Sequence, residues 1–422
     1  MIMTGPLARW LGPGIAALAI LASSQGRAQD ALLTSKADQT AADARHYNVE
    51  GQAYTLKMDD FRMLAATSLE LDWSDNINEA EHGAESDFIV RPMGQATAWY
   101  PVTQNSLLSL NLSAGYSKYL DHDAYSSWYV GSGSGLAFDI DVGQFTFGAH
   151  DRMQYIQDAV TVSALAGTGL FAYFQNVAGV YGTWDLNDVV PSLGYDHENY
   201  IVSPSGFDAA TRSTEDFFAR ASFRVYPRVT VGVESAAGLT TYQERVLNNN
   251  TDLSAGVFGD WKPNSALHVT ARAGYVVYIY DAIGSQPEIP DQDATYLDLT
   301  VSDQVTDKIF ASLSMGHELV LGIQANATDI WYVHPSVSWK VLHDVTLRAT
   351  PFYEDGSQTL SALAGNSEEN YDWYGADLGF TYTPRRNLNV SVDYRLTSRS
   401  SDLALRSYTQ DQIGLTLTYS FQ

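Results

Sequence analysis

The chain has 422 residues, with 24 Lys or Arg against 49 Asp or Glu, no Cys, and a mean hydropathy of −0.17. A formal charge of −25 repels phosphate backbones and argues against a nucleic-acid partner, and the lack of Cys removes disulfides and thiolate metal sites. Beyond the N-terminus no apolar run approaches the roughly 18 residues of a membrane helix, so any membrane insertion must use strands.

Residues 1–28 read as a secretory signal peptide. Arg9 supplies a weakly basic start, Leu11 to Ala22 an apolar stretch, and Gly26-Arg27-Ala28 a small-x-small cleavage site. An anchor helix is disfavoured because the apolar core is short and Pro13 interrupts it. Cleavage after Ala28 removes Arg9 and Arg27 and no acid, two positive charges from a total of −25, which leaves −27. Residues 29–60 are polar and Ala/Asp-rich, with a helical hint only at 40–45, and read as a flexible periplasmic leader.

From Phe61 the texture changes to segments that alternate with period two, the pattern of a strand with one apolar and one polar face. Leu108, Leu110 and Leu112 alternate with Ser109, Asn111 and Ser113; Val390, Val392 and Tyr394 alternate with Ser391, Asp393 and Arg395. The closing segment sets Ile413, Leu415, Leu417, Tyr419 and Phe421 against Gln412, Gly414, Thr416, Thr418 and Ser420. Its aromatic near-terminal residue suits the sorting signal of an outer-membrane barrel, tempered by Gln422.

Short connections rich in Pro, Asn, Asp and Gly (around 104, 143, 186, 227, 263, 307, 343 and 386) alternate with longer ones (75–86, 121–127, 157–172, 203–214, 244–252, 282–294, 322–329, 355–370 and 399–408). The expected fold is all-β: a closed antiparallel transmembrane β-barrel over 61–422. It has about eighteen strands, or sixteen if the poorly patterned region 159–185 is divided differently, with short periplasmic turns and longer extracellular loops. Trp99-Tyr100, Trp128-Tyr129, Trp261, Trp331, Trp339, Trp373-Tyr374 and Tyr382 suit interfacial girdles. A soluble propeller or sandwich would wet its outer face, whereas the apolar parity recurs nearly all the way round. Pro92, Pro191, Pro335 and Pro351 lack a ladder donor and are expected at bulges.

The first hairpin carries Leu69-Glu70-Leu71-Asp72-Trp73-Ser74-Asp75-Asn76, then Ser86-Asp87-Phe88-Ile89-Val90-Arg91-Pro92, then Tyr116-Ser117-Lys118-Tyr119. It resembles the β-barrel porin 2 family, in which an Asp-Asn pair closes the first strand, Ser-Asp opens the second and an aromatic pair ends the third. The resemblance implies a Gram-negative outer-membrane protein, often encoded beside exopolysaccharide genes, with a role in polysaccharide export or surface assembly. Polysaccharide, polysaccharide-export proteins, the barrel-insertion machinery, outer-membrane lipid and lipopolysaccharide are the partners that follow.

The polar parity nominates lumen-lining residues: the acids Glu70, Asp139, Glu234, Asp260, Asp298, Asp377 and Asp393, and the bases Arg91, Arg152, Arg220, Arg224, Arg272, Lys340, Arg348 and Arg395. The wall charge is nearly balanced, so the acidic excess falls in the leader, turns and loops and makes the mouth acidic. Such charges bias ions by sign or simply solvate the lumen and pair across strands; rim acids predict a mild cation preference. Trp99, Tyr278, Tyr280, Tyr332 and Trp373 share the polar parity and are candidates for stacking on sugar faces, or for filling space near strand ends.

The nine His are scattered and no Gly-x-Ser-x-Gly elbow is present, so no catalytic residue, metal ligand or cofactor is assigned and an enzyme is not expected. The expected function is a channel for polar solutes, with polysaccharide export its extension by resemblance. The alternative is a plugged, non-conducting surface barrel for adhesion or polymer attachment.

Overall fold

A computed structural model describes residues 52–157, 162–169, 171–203, 206–282, 289–361 and 367–422. Residues 1–51, expected from the sequence to hold a signal peptide and most of a leader, lie outside the described residues. Nineteen strands follow in chain order: β1 (Leu56–Met58), β2 (Phe61–Ser74), β3 (Asp87–Thr103), β4 (Ser106–Tyr119), β5 (Ser127–Val142), β6 (Phe145–Gln157), β7 (Ala172–Trp184), β8 (Val189–Ser203), β9 (Arg212–Tyr226), β10 (Val229–Tyr242), β11 (Asn250–Trp261), β12 (Leu267–Tyr280), β13 (Gln292–Thr306), β14 (Ile309–Leu321), β15 (Ala325–Leu342), β16 (Val345–Leu360), β17 (Glu368–Arg385), β18 (Leu388–Ser401) and β19 (Tyr408–Phe421).

Each strand from β2 to β19 pairs antiparallel with its chain neighbours, and β19 pairs with β2 from Gln412↔Ser74 to Phe421↔Ala65. The result is a closed barrel of 18 strands with one extra strand outside the ring. Closure satisfies every edge, which is what a sheet immersed in hydrocarbon requires. Region 159–185, the source of the sixteen-strand alternative, contains β7, which continues the ladder between β6 and β8.

The extra strand, β1, lies inside the segment read as leader. It pairs with β2 from Leu56↔Met63 to Met58↔Phe61, on the edge that β19 occupies higher up. Thr55 joins the three chain segments: its hydroxyl donates to the Phe421 carbonyl and accepts from the Ala65 N–H at 2.9 Å. The seam is therefore stitched at its lower end by residues just before the barrel.

The outer parity is apolar and exposed, as Leu69, Leu71, Leu193, Val233, Leu378 and Leu415 illustrate. On β17 the outward residues run Glu368, Asn370 and Asp372, then Tyr374, Ala376, Leu378, Phe380 and Tyr382. The span from Tyr374 to Tyr382 rises roughly 20 Å once strand tilt is allowed for, close to a hydrocarbon band. Its upper edge carries a repeated device. Tyr195, Tyr275, Tyr353 and Tyr394 each donate to an acid on the next strand, Glu215, Asp293, Asp372 and Asp411. In each case the acid stands two residues above the tyrosine's register partner.

The prolines correct the expectation of bulges. Pro191 pairs with Ala221 at the low end of β8, past the last β7 pair, Thr183↔Ser192. The β3–β4 ladder skips from Val90↔Lys118 to Met93↔Gly115 around Pro92 with its register unchanged. Likewise the β15–β16 ladder skips from Val333↔Tyr353 to Val337↔Ala349, which places Pro335 opposite Pro351. A missing N–H here interrupts pairing without inserting a residue. The pronounced bulge is instead in β5, between Val130 and Ser134, where Gly133 takes φ +87° and the Ser134 hydroxyl accepts from the Ser113 N–H at 3.0 Å.

Candidate functional site in the barrel lumen

Register partners share a face, so the ladders assign the inner wall residue by residue. Glu70 faces Arg91, Arg272 faces Asp298, Asp377 faces Arg395, Glu234 faces Arg220, and Arg348 and Asp393 flank Gly379. Asp139 flanks Gly148, Arg152 lies against Gly135, Arg224 against Thr230, Asp260 against Thr270, and Lys340 against Thr346. All fifteen charged candidates stand on this one parity.

Most of their charges are paired along the wall. On one arc Arg91 holds Asp72 and reaches Glu70 at 3.8 Å, Arg395 holds Asp377 at 2.6 Å, and Arg348 meets Asp393 at 3.2 Å. On the other, Arg272 holds Glu234 at 2.8 Å beside the Tyr296 hydroxyl, and the Arg220 guanidinium lies 3.6 Å over the Phe258 ring. Toward the short turns Asp260 meets His268 at 2.6 Å and Lys262 at 3.5 Å, and Arg224 meets Asp185 at 3.1 Å. Alternating signs at this spacing leave short-range dipoles rather than a wall of one charge.

Inward aromatic rings lie against the wall. Tyr332 covers Gly316 and donates to Asp298 at 2.7 Å; Tyr181 covers Gly148 and donates to Asp139. Phe218 covers Gly194 and Phe258 covers Gly232 in the same way. A glycine removes the side chain that would lift the ring, so the ring packs flat over the neighbouring strand. Three of the stacking candidates show almost no surface: Tyr278 is 1% exposed, Trp99 4% and Tyr332 9%. Tyr280 is partly exposed and donates to Gln292 at 2.8 Å; Trp373 packs on Phe352 at 4.3 Å and donates to the Tyr408 hydroxyl at 3.3 Å.

Among the described residues, two chain segments fold into the long-loop mouth. The first, 162–169, follows β6 and is anchored by an apolar cluster of Val162, Ala164, Leu165, Phe171, Tyr173 and Tyr200 on its own side. It reaches β18 and the β18–β19 loop, where Arg399 donates from Nε to the Ser163 carbonyl at 2.8 Å and Arg406 from Nη2 to the Ala164 carbonyl at 2.9 Å. Glu369 locks both arginines, at 2.8 Å from Arg399 and 2.7 Å from Arg406, and accepts from Ser401 at 2.7 Å and Gln358 at 2.8 Å. The outward face of β17 at this height is polar, so this network lies beyond the hydrocarbon band. Burial alone would raise the Glu369 carboxyl; the Arg406 hydrogen bond and the Arg399 charge reverse this and bring it down to about 2.

The second segment is the tip of the β14–β15 hairpin. The β13–β14 ladder ends at Leu297↔His317, although β13 extends up to Gln292 and β14 to Leu321. Above that point the tip leaves the wall. Leu319, Leu321 and Ala327 pack on Val276, Tyr278 and Tyr296 of the inner wall, while Ile323 joins the cluster around Phe171 and Tyr200.

The residues of the hairpin resemblance hold the mouth together. Asn76 donates to the Ala80 and Thr409 carbonyls, both at 3.0 Å. Asp87 accepts from the backbone N–H groups of Leu120 at 3.1 Å and His122 at 2.8 Å, tying the β4–β5 loop to β3. The sequence reading missed Arg399, Arg406 and the pairing of Glu369. Arg399 continues the polar parity of Arg395 and Thr397, and that was its only signal.

These features define a barrel of outer-membrane architecture: apolar outside, polar and charge-paired inside, with short turns at one end and infolded segments at the other. No family model matches the chain and no curated protein matches it, so the porin 2 resemblance rests on the short hairpin motifs. Solved structures with a similar fold include a BenF-like porin from Pseudomonas fluorescens Pf-5. It is 12% identical with TM-score 0.49, over 85% of this chain and 98% of that one. OccK2 (OpdF) from Pseudomonas aeruginosa is also 12% identical with TM-score 0.49, over 86% and 98%. Pseudomonas aeruginosa OpdK, solved with vanillate, is 11% identical with TM-score 0.47, over 85% and 98%.

Proposed function

We propose that the chain is an outer-membrane channel for small polar solutes. The observation that carries this is the inner wall: a closed ring lined by paired charges and hydroxyls, enclosed by an apolar outer face that only a bilayer satisfies. Residues 1–28 direct export in this reading, and the terminal strand ending at Phe421 is the segment read by the barrel-insertion machinery. Lipid and lipopolysaccharide then surround the outer face, with the long loops extracellular.

Infolded mouth segments favour small solutes over an extended polymer. Exopolysaccharide export, implied by the hairpin resemblance, requires those segments to move aside. A second reading is a plugged surface barrel for adhesion or polymer attachment, favoured by the buried Glu369–Arg399 pair that ties the mouth together. Reconstitution of the full chain in planar bilayers separates the readings. Stepwise ion conductance, with uptake of small sugars or of glucuronate (a ligand solved with OccK2) into liposomes, is the expected result. Absence of both, in the full chain and in a variant with a cleared mouth, overturns the channel.

A further inference from the structure

We infer that the inner wall carries a site for a hard divalent cation of the calcium type, held by Asp216 and Asp252 over the bare backbone of Gly238. The register sets Gly179, Asp196, Asp216, Gly238, Asp252 and Tyr278 in one row, on β7 to β12 in turn. Over the same strands the rows two residues above and below add Glu198 and no Lys or Arg. On β9 the nearest arginines, Arg212 and Arg220, stand four residues from Asp216, roughly 13 Å along the strand. Elsewhere on the wall acids such as Glu234 and Asp377 meet an arginine; here three carboxylates share a row that contains none.

Two of the acids are answered locally. Asp196 has His150 Nε2 at 3.2 Å, and Glu198 accepts from Gln175. Asp252 is 9% exposed and makes no ion pair; its donors are the backbone N–H groups of Asp252 itself and Gly238. Burying a carboxylate without a counter-charge is expensive, which leaves the compensating charge to come from a bound ion. A β-carbon at Gly238 would lie 2.0 Å from Asp252 Oδ1 and 3.0 Å from Asp216 Oδ1, so the two carboxylates lean from either side toward one point. Glycine keeps that point open.

Neutral oxygens complete the set. The Tyr242 hydroxyl and Asn250 Oδ1 have no hydrogen-bond partner, although the two residues are only 5% and 4% exposed. Asn250 stands two residues above Asp252 on the same face of β11. The Tyr242 hydroxyl, rooted on β10, acts electrostatically on those of Tyr278 and Tyr280 on β12, so its ring leans across β11 above Asp252. Carboxylate, carboxamide and hydroxyl oxygens are the ligands Ca²⁺ takes, at about 2.3–2.6 Å and with water in the remaining positions. Packing of Leu319 and Leu321 on Tyr278 covers the row at β12, which favours a bare ion over an organic amine. Among the described residues no three His, Asp or Glu gather as a metal cluster, so the ligand charge is low and binding is expected at about 0.1–1 mM.

Terbium, which replaces Ca²⁺ and is excited through neighbouring tyrosines, tests the site in the full-length barrel refolded in zwitterionic detergent, with folding checked by heat-modifiable gel mobility. Expected are saturable emission displaced by millimolar Ca²⁺, about tenfold weaker binding in D216N and D252N, and about tenfold tighter binding in N250D, which adds a third carboxylate. Emission displaced equally by Na⁺ at matched ionic strength, or alike in wild type and all three variants, reports adventitious ions on the acidic loops only and overturns the site. Where D216N and D252N do not fold, N250D decides: an affinity equal to wild type overturns the site. A barrel that binds terbium as expected yet carries no current overturns the channel reading and leaves the cation site standing.

Discussion

Glu369 and Arg399 meet at 2.8 Å with both side chains fully buried, although one opens β17 and the other nearly closes β18. The same guanidinium holds the Ser163 carbonyl, 236 positions earlier in the chain. One ion pair thus connects two adjacent strands to a segment rooted on the opposite wall.

Removing one partner of such a pair leaves a buried charge uncompensated, at a cost of about 3–5 kcal/mol. Glu369→Ala is expected to lower the temperature of heat-modifiability on gels and to increase current noise as 162–169 loosens. Glu369→Gln, which keeps hydrogen-bonding capacity, should fall between Ala and wild type. An unchanged Glu369→Ala would show that the network is not what holds the segment.

The pH dependence follows from the same carboxyl. Its folded pKa, about 2, lies below the ordinary value of 4.5, so the contribution is fully present above pH 4.5 and is lost as pH falls toward 2. Mouth behaviour that depends on Glu369 should be flat from neutral pH to about pH 5 and change only below about pH 4. Open probability measured against pH, for wild type and Glu369→Gln, checks this; a Glu369-dependent transition near pH 6 contradicts it.

Gly148 is kept bare by the Tyr181 ring, which a β-carbon would overlap. Gly148→Val is expected to displace that ring, break its bond to Asp139 and destabilise the barrel by about 1–3 kcal/mol. Val at Gly182, on the outer face where the nearest atoms lie 3.5 Å from a built β-carbon, should cost less. Urea unfolding in detergent or liposomes compares the two.

Pro335 and Pro351 leave a gap in the β15–β16 ladder. The double substitution Pro335→Val, Pro351→Val restores two N–H donors at lipid-facing positions and should stabilise the barrel by about 1–2 kcal/mol.

Because most of the wall charges are held in ion pairs, ion selectivity is left chiefly to the acids of the mouth and to the net charge. Reversal potentials under a salt gradient should show a mild cation preference that fades as salt rises, since rim charges are screened within about 10 Å at 0.1 M. Anion preference would contradict this.

The barrel itself was legible in the sequence. Period-two alternation is local, and it showed that Leu415 and Leu417 lie on one face and Thr416 and Thr418 on the other before any partner strand was known. Alternating short and long connections pointed to about eighteen strands but left sixteen open, and parity alone placed Glu70, Arg272 and Asp393 on the inner wall. Parity says nothing about depth or cover. It could not show that Tyr278 lies under the β14–β15 tip, that Tyr332 rests on Gly316, or that Pro335 faces Pro351, because each depends on register across strands or on chain that leaves the wall. Least legible was the mouth: Ser163 meets Arg399 only because 162–169 folds inward, and a loop's path is set by contacts far apart in sequence. The amino-acid pattern determined that there is a lumen; tertiary structure decided how it is closed.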